Sequence, residues 1–86
     1  MFYVYALYSK EQNKFYIGFT ENLKQRIKEH SLNKSLSDRR IKNLVLVYYE
    51  AYNSKTDALI REKQLKTGFG RGYLRKRLKN SINMPS

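Results

Sequence analysis

Two aromatic runs near the amino terminus, separated by a polar segment, constrain the fold of this chain most. Residues 2–8, FYVYALY, and residues 15–17, FYI, are rich in the aromatic and β-branched residues that favour strands. The intervening SKEQNK has turn composition, and a glycine closes the second run. The pattern predicts a β-hairpin. An even number of loop residues would place Tyr5 and Tyr16 on the same face of its two strands.

A helix is predicted directly after the hairpin. Thr20 is the expected N-cap, and the following ENLKQRIKEH has helical spacing, with Leu23 and Ile27 pointing inward. Arg26 and His30, one turn apart, fall in the same arc as these two apolar residues. We therefore expect both cationic side chains at the seam between the helix and the sheet.

The second half predicts one more strand and further helices. LVLVYYEAY, residues 44–52, is apolar on both faces and favours a central strand covered by helices on both sides. Ser54 begins a capping-box-like helix start. In the helix that follows, Ala58 and Leu65 mark the inner face, and Glu62 lies between them. The sequence thus places a carboxylate within an apolar arc.

Glycines and loop-forming residues complete the predicted architecture. Glycines at 68, 70 and 72 are expected to break the helix, and YLRKRLKN resumes it. Residues 31–42 have loop composition, and residues 81–86 are expected to form a flexible tail after a single domain spanning 1–80. The predicted fold class is α+β: a small three-stranded, mainly antiparallel sheet flanked by helices, in the order β-β-α-β-α-α.

The charge of the chain points to a polyanionic partner. It carries 18 Lys and Arg against 7 Asp and Glu, a net charge of +11, and residues 55–79 contribute +7 of this. Nucleic acid is the expected partner, anionic membrane is the main competitor, and a lysine-rich solubilising surface is the third alternative. The cationic residues expected to contact DNA are Lys24, Arg39, Arg40, Arg71, Arg75, Lys76, Arg77 and Lys79.

Several protein classes do not fit the composition. The chain has no cysteine, so it has neither disulfides nor a thiolate metal site. No apolar run approaches the roughly 20 residues that cross a bilayer, and the amino terminus lacks the order of a secretory signal. We expect a cytoplasmic protein without membrane contact.

Tyr5, Tyr16, Arg26, His30 and Glu62 are sufficient for metal-assisted phosphodiester hydrolysis. One carboxylate suits Mg²⁺ because this ion retains several waters, and an arginine would neutralise a phosphoryl oxygen. A tyrosine hydroxyl could take a proton from the attacking water. Structural alternatives exist for each: the tyrosines as ordinary strand residues, His30 as an edge histidine near a helix end, and Arg26 paired with Glu62.

The sequence also resembles the GIY-YIG nuclease family. Tyr3-Val4-Tyr5 is followed after ten residues by Tyr16-Ile17-Gly18, and then by Phe19-Thr20, Leu23, Arg26 and His30. The resemblance is to a small stand-alone member and covers nearly the whole chain. Tyr3 stands where the family name has glycine. Asn80 and Asn83 are candidates for an asparagine that many members carry late in the domain.

The resemblance implies a role for each candidate residue. Tyr5 and Tyr16 would be the paired active-site tyrosines, one of them the general base. Arg26 would be the catalytic arginine, and His30 the histidine one turn later. Glu62 would be the lone ligand of a divalent metal, Mg²⁺ or Mn²⁺.

The predicted function is therefore metal-dependent endonuclease cleavage of DNA, structure-selective or weakly sequence-specific, as in repair or recombination. The alternative is a catalytically weak or inactive nucleic-acid-binding module on the same fold. A basic ribosome- or membrane-associated protein is a third possibility, which rests on charge alone.

Overall fold

The computed structural model describes the backbone of residues 1–31 and 44–82, and the side chains of residues 1–29 and 44–82. The predicted α+β class and element order are confirmed, with one short helix added at the end. The elements are β1 (Phe2–Ser9), β2 (Lys14–Thr20), α1 (Leu23–Ser31), β3 (Leu44–Tyr52), α2 (Lys55–Leu65), α3 (Gly68–Arg77) and α4 (Lys79–Ile82).

The hairpin of β1 and β2 forms as predicted and has a four-residue loop, residues 10–13. Asn13 adopts a left-handed backbone conformation with φ of 52°, which asparagine tolerates better than most residues. The Tyr8 hydroxyl donates a hydrogen bond to the Asn13 side-chain oxygen and helps to hold this turn. Leu7 pairs with Tyr16, so Tyr5 and Tyr16 lie on the same sheet face, as the parity argument predicted.

The sheet is antiparallel with the order β2-β1-β3, so β1 is the central strand. The prediction that β3 occupies the centre was wrong. Six consecutive residues of β1 are buried, from Val4 to Ser9, whereas Val45 and Tyr49 of β3 are more than half exposed. The apolar residues on both faces of β3 reflect helices packed above and below the sheet, and they do not show that β3 has strands on both sides.

The helix boundaries follow local capping, although not always at the predicted residue. Thr20 is the last residue of β2, and Asn22 caps α1: its side-chain oxygen accepts the N–H of Gln25 at 3.1 Å. The prediction of Thr20 as cap was therefore wrong by two residues. Ser54 caps α2 as predicted, because its hydroxyl accepts the N–H of Asp57.

The three glycines do not break the helix; all of them lie within α3. The break falls before them, at Lys66 and Thr67, and the Thr67 hydroxyl caps α3 by accepting the N–H of Gly70. Gly70 permits a close approach between helices, since a Cβ there would lie 2.2 Å from the backbone oxygen of Leu65. The prediction of these glycines as breakers was wrong for this reason.

The two faces of the sheet carry different helices. Helices α2 and α3 pack Ala58, Leu65 and Leu74 against the face formed by alternate β1 residues such as Val4 and Ala6. Helix α1 lies on the opposite face. The positions expected to begin the flexible tail, Ser81 and Ile82, belong to α4, and the Ile82 side chain packs against the core; residues 83–86 lie outside the described part. In the described ranges, every helix is too short or too polar to span a bilayer.

Candidate active site at the outer edge of β2

The hairpin register places the two candidate tyrosines beside a glycine. Tyr5 pairs with Gly18 across the β1–β2 ladder, and a Cβ on Gly18 would lie 2.3 Å from both the Cζ and the hydroxyl oxygen of Tyr5. The Tyr5 ring therefore extends from the central strand over Gly18 and occupies the space where a side chain would be. Because β2 is an edge strand, the Tyr5 hydroxyl is carried towards the outer edge of the sheet.

Tyr16 lies on the same face, two residues before Gly18. It is half-buried, and its hydroxyl donates a hydrogen bond to the side-chain oxygen of Gln12. The Lys14 ammonium group lies 5.3 Å from the centre of the Tyr16 ring. The second tyrosine is thus close to solvent and beside a cation, whereas Tyr5 is 94% buried by the fold, with 6% of its surface exposed.

Arg26 lies on α1, near the carboxyl end of β2. Leu23 and Ile27 of this helix line a cleft of about 500 Å³ with Tyr3 and Tyr49, which fixes α1 on the tyrosine face of the sheet. Arg26 is exposed and lines a second cleft, of about 330 Å³, next to the last residues of β2. The other residues lining this second cleft are Phe19, Thr20, Glu21, Asn22, Gln25 and Glu29.

Glu62 approaches β2 from the other face of the sheet. Ala58 and Leu65 fix the inward direction of α2, and Arg61 reaches Glu50 on β3. Helical spacing puts Arg61 and Glu62 on opposite flanks of that direction, so Glu62 faces the β2 side. Its side chain is 19% exposed.

The Glu62 carboxylate is already paired with a cation. Its oxygen lies 3.2 Å from the Lys66 ammonium group, one turn later in α2. Within residues 1–29 and 44–82, Glu62 pairs with Lys66 and not with Arg26, so the pairing considered as the structural alternative is not observed. Because the Lys66 side chain is 55% exposed, this ion pair contributes little to stability.

The structure thus places both tyrosines and Arg26 on one face, and Glu62 on the other, around the same edge strand. Among the described residues, no ion pair joins Glu62 to Arg26. The side chain of His30 lies outside the described part, as do Arg39 and Arg40.

The basic residues of the second half take different roles. Arg71, Lys76, Arg77 and Lys79 are exposed, and their contacts with phosphates stay a prediction. Arg75 instead holds the hairpin turn; its guanidinium donates to the Asn13 side-chain oxygen at 3.0 Å and to the Asn13 carbonyl at 2.6 Å. Lys24 lines the 500 Å³ cleft on the β3 side of α1.

A polar cluster surrounds Glu50 that the sequence pattern did not predict. The Glu50 carboxylate accepts hydrogen bonds from the hydroxyls of Tyr48 and Tyr52 and from the Arg61 guanidinium, at 2.9–3.2 Å for Arg61. Burial acts to raise the pKa of Glu50, but these hydrogen bonds outweigh it and lower the pKa. Burial and the bond to Glu50 raise the pKa of Tyr52 to about 12. A lone carboxylate inside an apolar strand was the signal that could have revealed the cluster.

Comparison with known proteins agrees with the fold. Residues 1–79 match the family model of the GIY-YIG catalytic domain. The chain therefore belongs to the GIY-YIG family, a domain class of the nuclease superfamily.

Its relatives are small UPF0213 proteins. The chain is 40% identical over 68 residues to one from Limosilactobacillus reuteri, covering 76% of this chain and 70% of the relative. It is 38% identical over 66 residues to one from Staphylococcus haemolyticus, covering 76% and 79%. A solution NMR structure of a UPF0213 protein from Bacillus halodurans superimposes with a TM-score of 0.55 at 29% identity, covering 88% of this chain and 84% of that one.

The described residues fit a divalent metal that is bound through one carboxylate and retains most of its waters. Across residues 1–29 and 44–82, no three His, Cys, Asp or Glu side chains cluster, so an all-protein metal cage is not present there. Mg²⁺ retains several waters and binds proteins through one or two carboxylates. Glu62, partly exposed and held only by a surface lysine, fits a site of that kind.

Proposed function

We propose that this protein is a divalent-metal-dependent endonuclease that hydrolyses DNA phosphodiester bonds, with structural selectivity or weak sequence specificity. The observation that supports it best is the passage of Tyr5 over Gly18, which carries a second tyrosine hydroxyl onto the edge strand that also bears Tyr16, on the same sheet face. Membership of the GIY-YIG family and the net charge of +11 support a nucleic-acid substrate.

Each group at the edge has a distinct task in this proposal. Glu62 would hold Mg²⁺ or Mn²⁺, which stabilises the negative charge that develops at the phosphoryl group and its leaving oxygen. Arg26 binds a non-bridging phosphate oxygen and neutralises its charge. Tyr5 or Tyr16, in its deprotonated form, would accept the proton of the attacking water. Tyr16 must first release Gln12 to do so.

The exposed cations of the second half hold the substrate. Contacts from Arg71, Lys76, Arg77 and Lys79 to phosphates orient the duplex without reading its sequence. In the described part of the chain we find no separate recognition module, which supports selection by DNA structure. These contacts predict affinity that falls steeply as salt concentration rises.

Cleavage assays with matched variants test the proposal. Nicked, flapped and branched DNA would be incubated with Mg²⁺ or Mn²⁺ and the wild-type protein, Glu62→Gln or Arg26→Ala. We expect each variant to lose at least about 100-fold in rate, because each removes a charge that acts in the transition state. Glu11→Gln, in the exposed hairpin loop, and Lys28→Ala, exposed on α1, are the charge-matched controls and should retain wild-type rates. Equal rates for all five proteins would trace the cutting to a contaminant.

The Glu62–Lys66 ion pair favours a second candidate function, a nucleic-acid-binding module without catalysis. In that case Glu62 serves only to stabilise α2, and the basic surface binds DNA. Binding that persists in EDTA, with no product at any metal concentration, would support this function over cleavage. Lys66→Ala distinguishes the two directly, since freeing the carboxylate should strengthen metal-dependent cleavage but leave simple binding almost unchanged.

A further inference from the structure

Among residues 1–29 and 44–82, Phe69 is the most exposed of the large apolar side chains, with 65% of its surface accessible. It lies in the first turn of α3, away from the β2 edge. Its ring stacks on that of Tyr73, one turn later, with centres 6.1 Å apart and planes inclined by 23°. A flat aromatic surface therefore faces solvent on a helix that contains no acidic residue.

Cations surround this aromatic pair. The guanidinium carbons of Arg61 and Arg77 lie 5.0 and 5.9 Å from the centre of the Tyr73 ring. Arg71 and Lys76 of α3 are exposed. Stacked aromatic rings with flanking arginines form the surface on which single-stranded nucleic acids place their bases, with cations nearby for the phosphates.

The residues next to Phe69 keep the ring open. A Cβ at Gly68 or at Gly72 would meet nothing within 4 Å, so packing does not require glycine at either position. Glycine inside a helix is unfavourable by about 0.5–1 kcal/mol relative to alanine. Because Gly68 and Gly72 have no side chains, a ligand can approach the Phe69 ring.

We infer that Phe69 and Tyr73 form a stacking platform for an unpaired base of single-stranded DNA. The platform lies on α3, next to the cations proposed to hold the substrate, whereas the groups proposed for catalysis lie around β2. The inference relies on the proposed function only for the class of substrate. It would give an enzyme of this kind a preference for DNA with unpaired segments, such as flaps and gaps.

Binding without catalysis tests the platform. Fluorescence anisotropy with labelled single-stranded DNA and with a duplex of the same sequence would be measured in EDTA, so that no cleavage occurs. Phe69→Ala should weaken single-strand binding by about 5- to 150-fold, the range found for loss of one base-stacking aromatic. Duplex binding should change less than about twofold, because phosphate contacts dominate it.

Three variants control for folding and for general loss of apolar surface. Phe69→Trp should retain single-strand affinity because it keeps a flat ring. Ile60→Ala removes a side chain of similar exposure, 53%, from α2 and should have no effect. Arg71→Ala should weaken both substrates alike and reduce the dependence of affinity on salt.

A base analogue gives an independent reading. Single-stranded DNA carrying 2-aminopurine should change its fluorescence on binding wild-type protein and not on binding Phe69→Ala. Equal loss on single and double strands for Phe69→Ala, no loss on either, or no single-strand binding by the wild type would each overturn the inference. Failure of cleavage in the metal assays, with the single-strand effect of Phe69 intact, would count against the nuclease proposal alone.

Discussion

Replacing Gly18 with alanine tests the central contact of the proposed site without removing any functional group. The new Cβ would lie 2.3 Å from the Cζ and the hydroxyl oxygen of Tyr5, whereas non-bonded carbon atoms settle at about 3.5–4.0 Å. The Tyr5 ring must therefore retreat by more than about 1 Å. It is a rigid ring with 6% exposure, so its neighbours must move with it.

The expected effect of Gly18→Ala on stability follows from overpacking. A forced shift of this kind in a well-packed interior lowers the free energy of unfolding by about 1–3 kcal/mol. For a domain of this size each kcal/mol lowers Tm by about 4–8 °C. A 1 Å displacement of a reacting group also lowers the cleavage rate by about 100-fold, so activity should fall further than stability alone explains.

Urea and thermal unfolding followed by circular dichroism measure the stability change. Gly72→Ala is the matched control, since its Cβ meets nothing within 4 Å; it should be neutral or stabilising. In a Tyr5→Leu background the effect of Gly18→Ala should largely disappear, because leucine does not extend over Gly18, and the two substitutions should be non-additive. A Gly18→Ala protein as stable as the wild type would refute the packing that places the Tyr5 hydroxyl.

Two further predictions concern stability. Glu50→Gln should lower the free energy of unfolding at pH 7 by about 1–3 kcal/mol, since charged hydrogen bonds are lost. Because the folded-state pKa of Glu50 is lowered, its contribution to wild-type stability is present above the unfolded pKa of about 4.3 and is lost as the pH falls through the folded pKa. In urea titrations from pH 7 to 3, the stability of Glu50→Gln should therefore fall less steeply with acid than that of the wild type, and identical slopes would contradict the cluster. Asn13→Ala should destabilise by about 1–3 kcal/mol through the left-handed backbone and the lost acceptor for Tyr8 and Arg75. Asn13→Gly should lose less stability than Asn13→Ala, because glycine adopts the left-handed backbone conformation without strain. Equal losses for the two variants in thermal unfolding would exclude a backbone contribution.

Local chemistry predicted the hairpin and the shared face of its tyrosines. Strand alternation and a four-residue loop suffice to put Tyr5 and Tyr16 on one face, because both are short-range properties. The overlap of Tyr5 with Gly18 was not predictable in the same way. It depends on the direction that the Tyr5 side chain takes across the β1–β2 ladder.

The order of strands required information that one strand does not contain. The apolar faces of β3 suggested a central position, yet β1 is the strand paired on both sides. Apolarity reports what lies above and below a strand, whereas strand order depends on which backbone groups pair in the plane. Likewise, Glu62 was expected within an apolar arc, but that pattern could not assign its helix to the sheet face opposite the tyrosines.

The roles of the glycines also depended on distant packing. Gly70 meets the Leu65 backbone, whereas Gly68 and Gly72 meet nothing, although all three look alike as helix breakers in the sequence. A threonine cap at Thr67 was enough to restart a helix through all of them.

The proposed site requires Glu62 and the groups of the tyrosine face to act on one ion and one phosphate around β2. Paramagnetic broadening of backbone amide NMR signals by substoichiometric Mn²⁺ measures this without requiring activity. We predict the strongest broadening at Glu62, along the outer edge of β2 and near Arg26, and its loss in Glu62→Gln. Broadening centred elsewhere, or unchanged by Glu62→Gln, would contradict the proposed site.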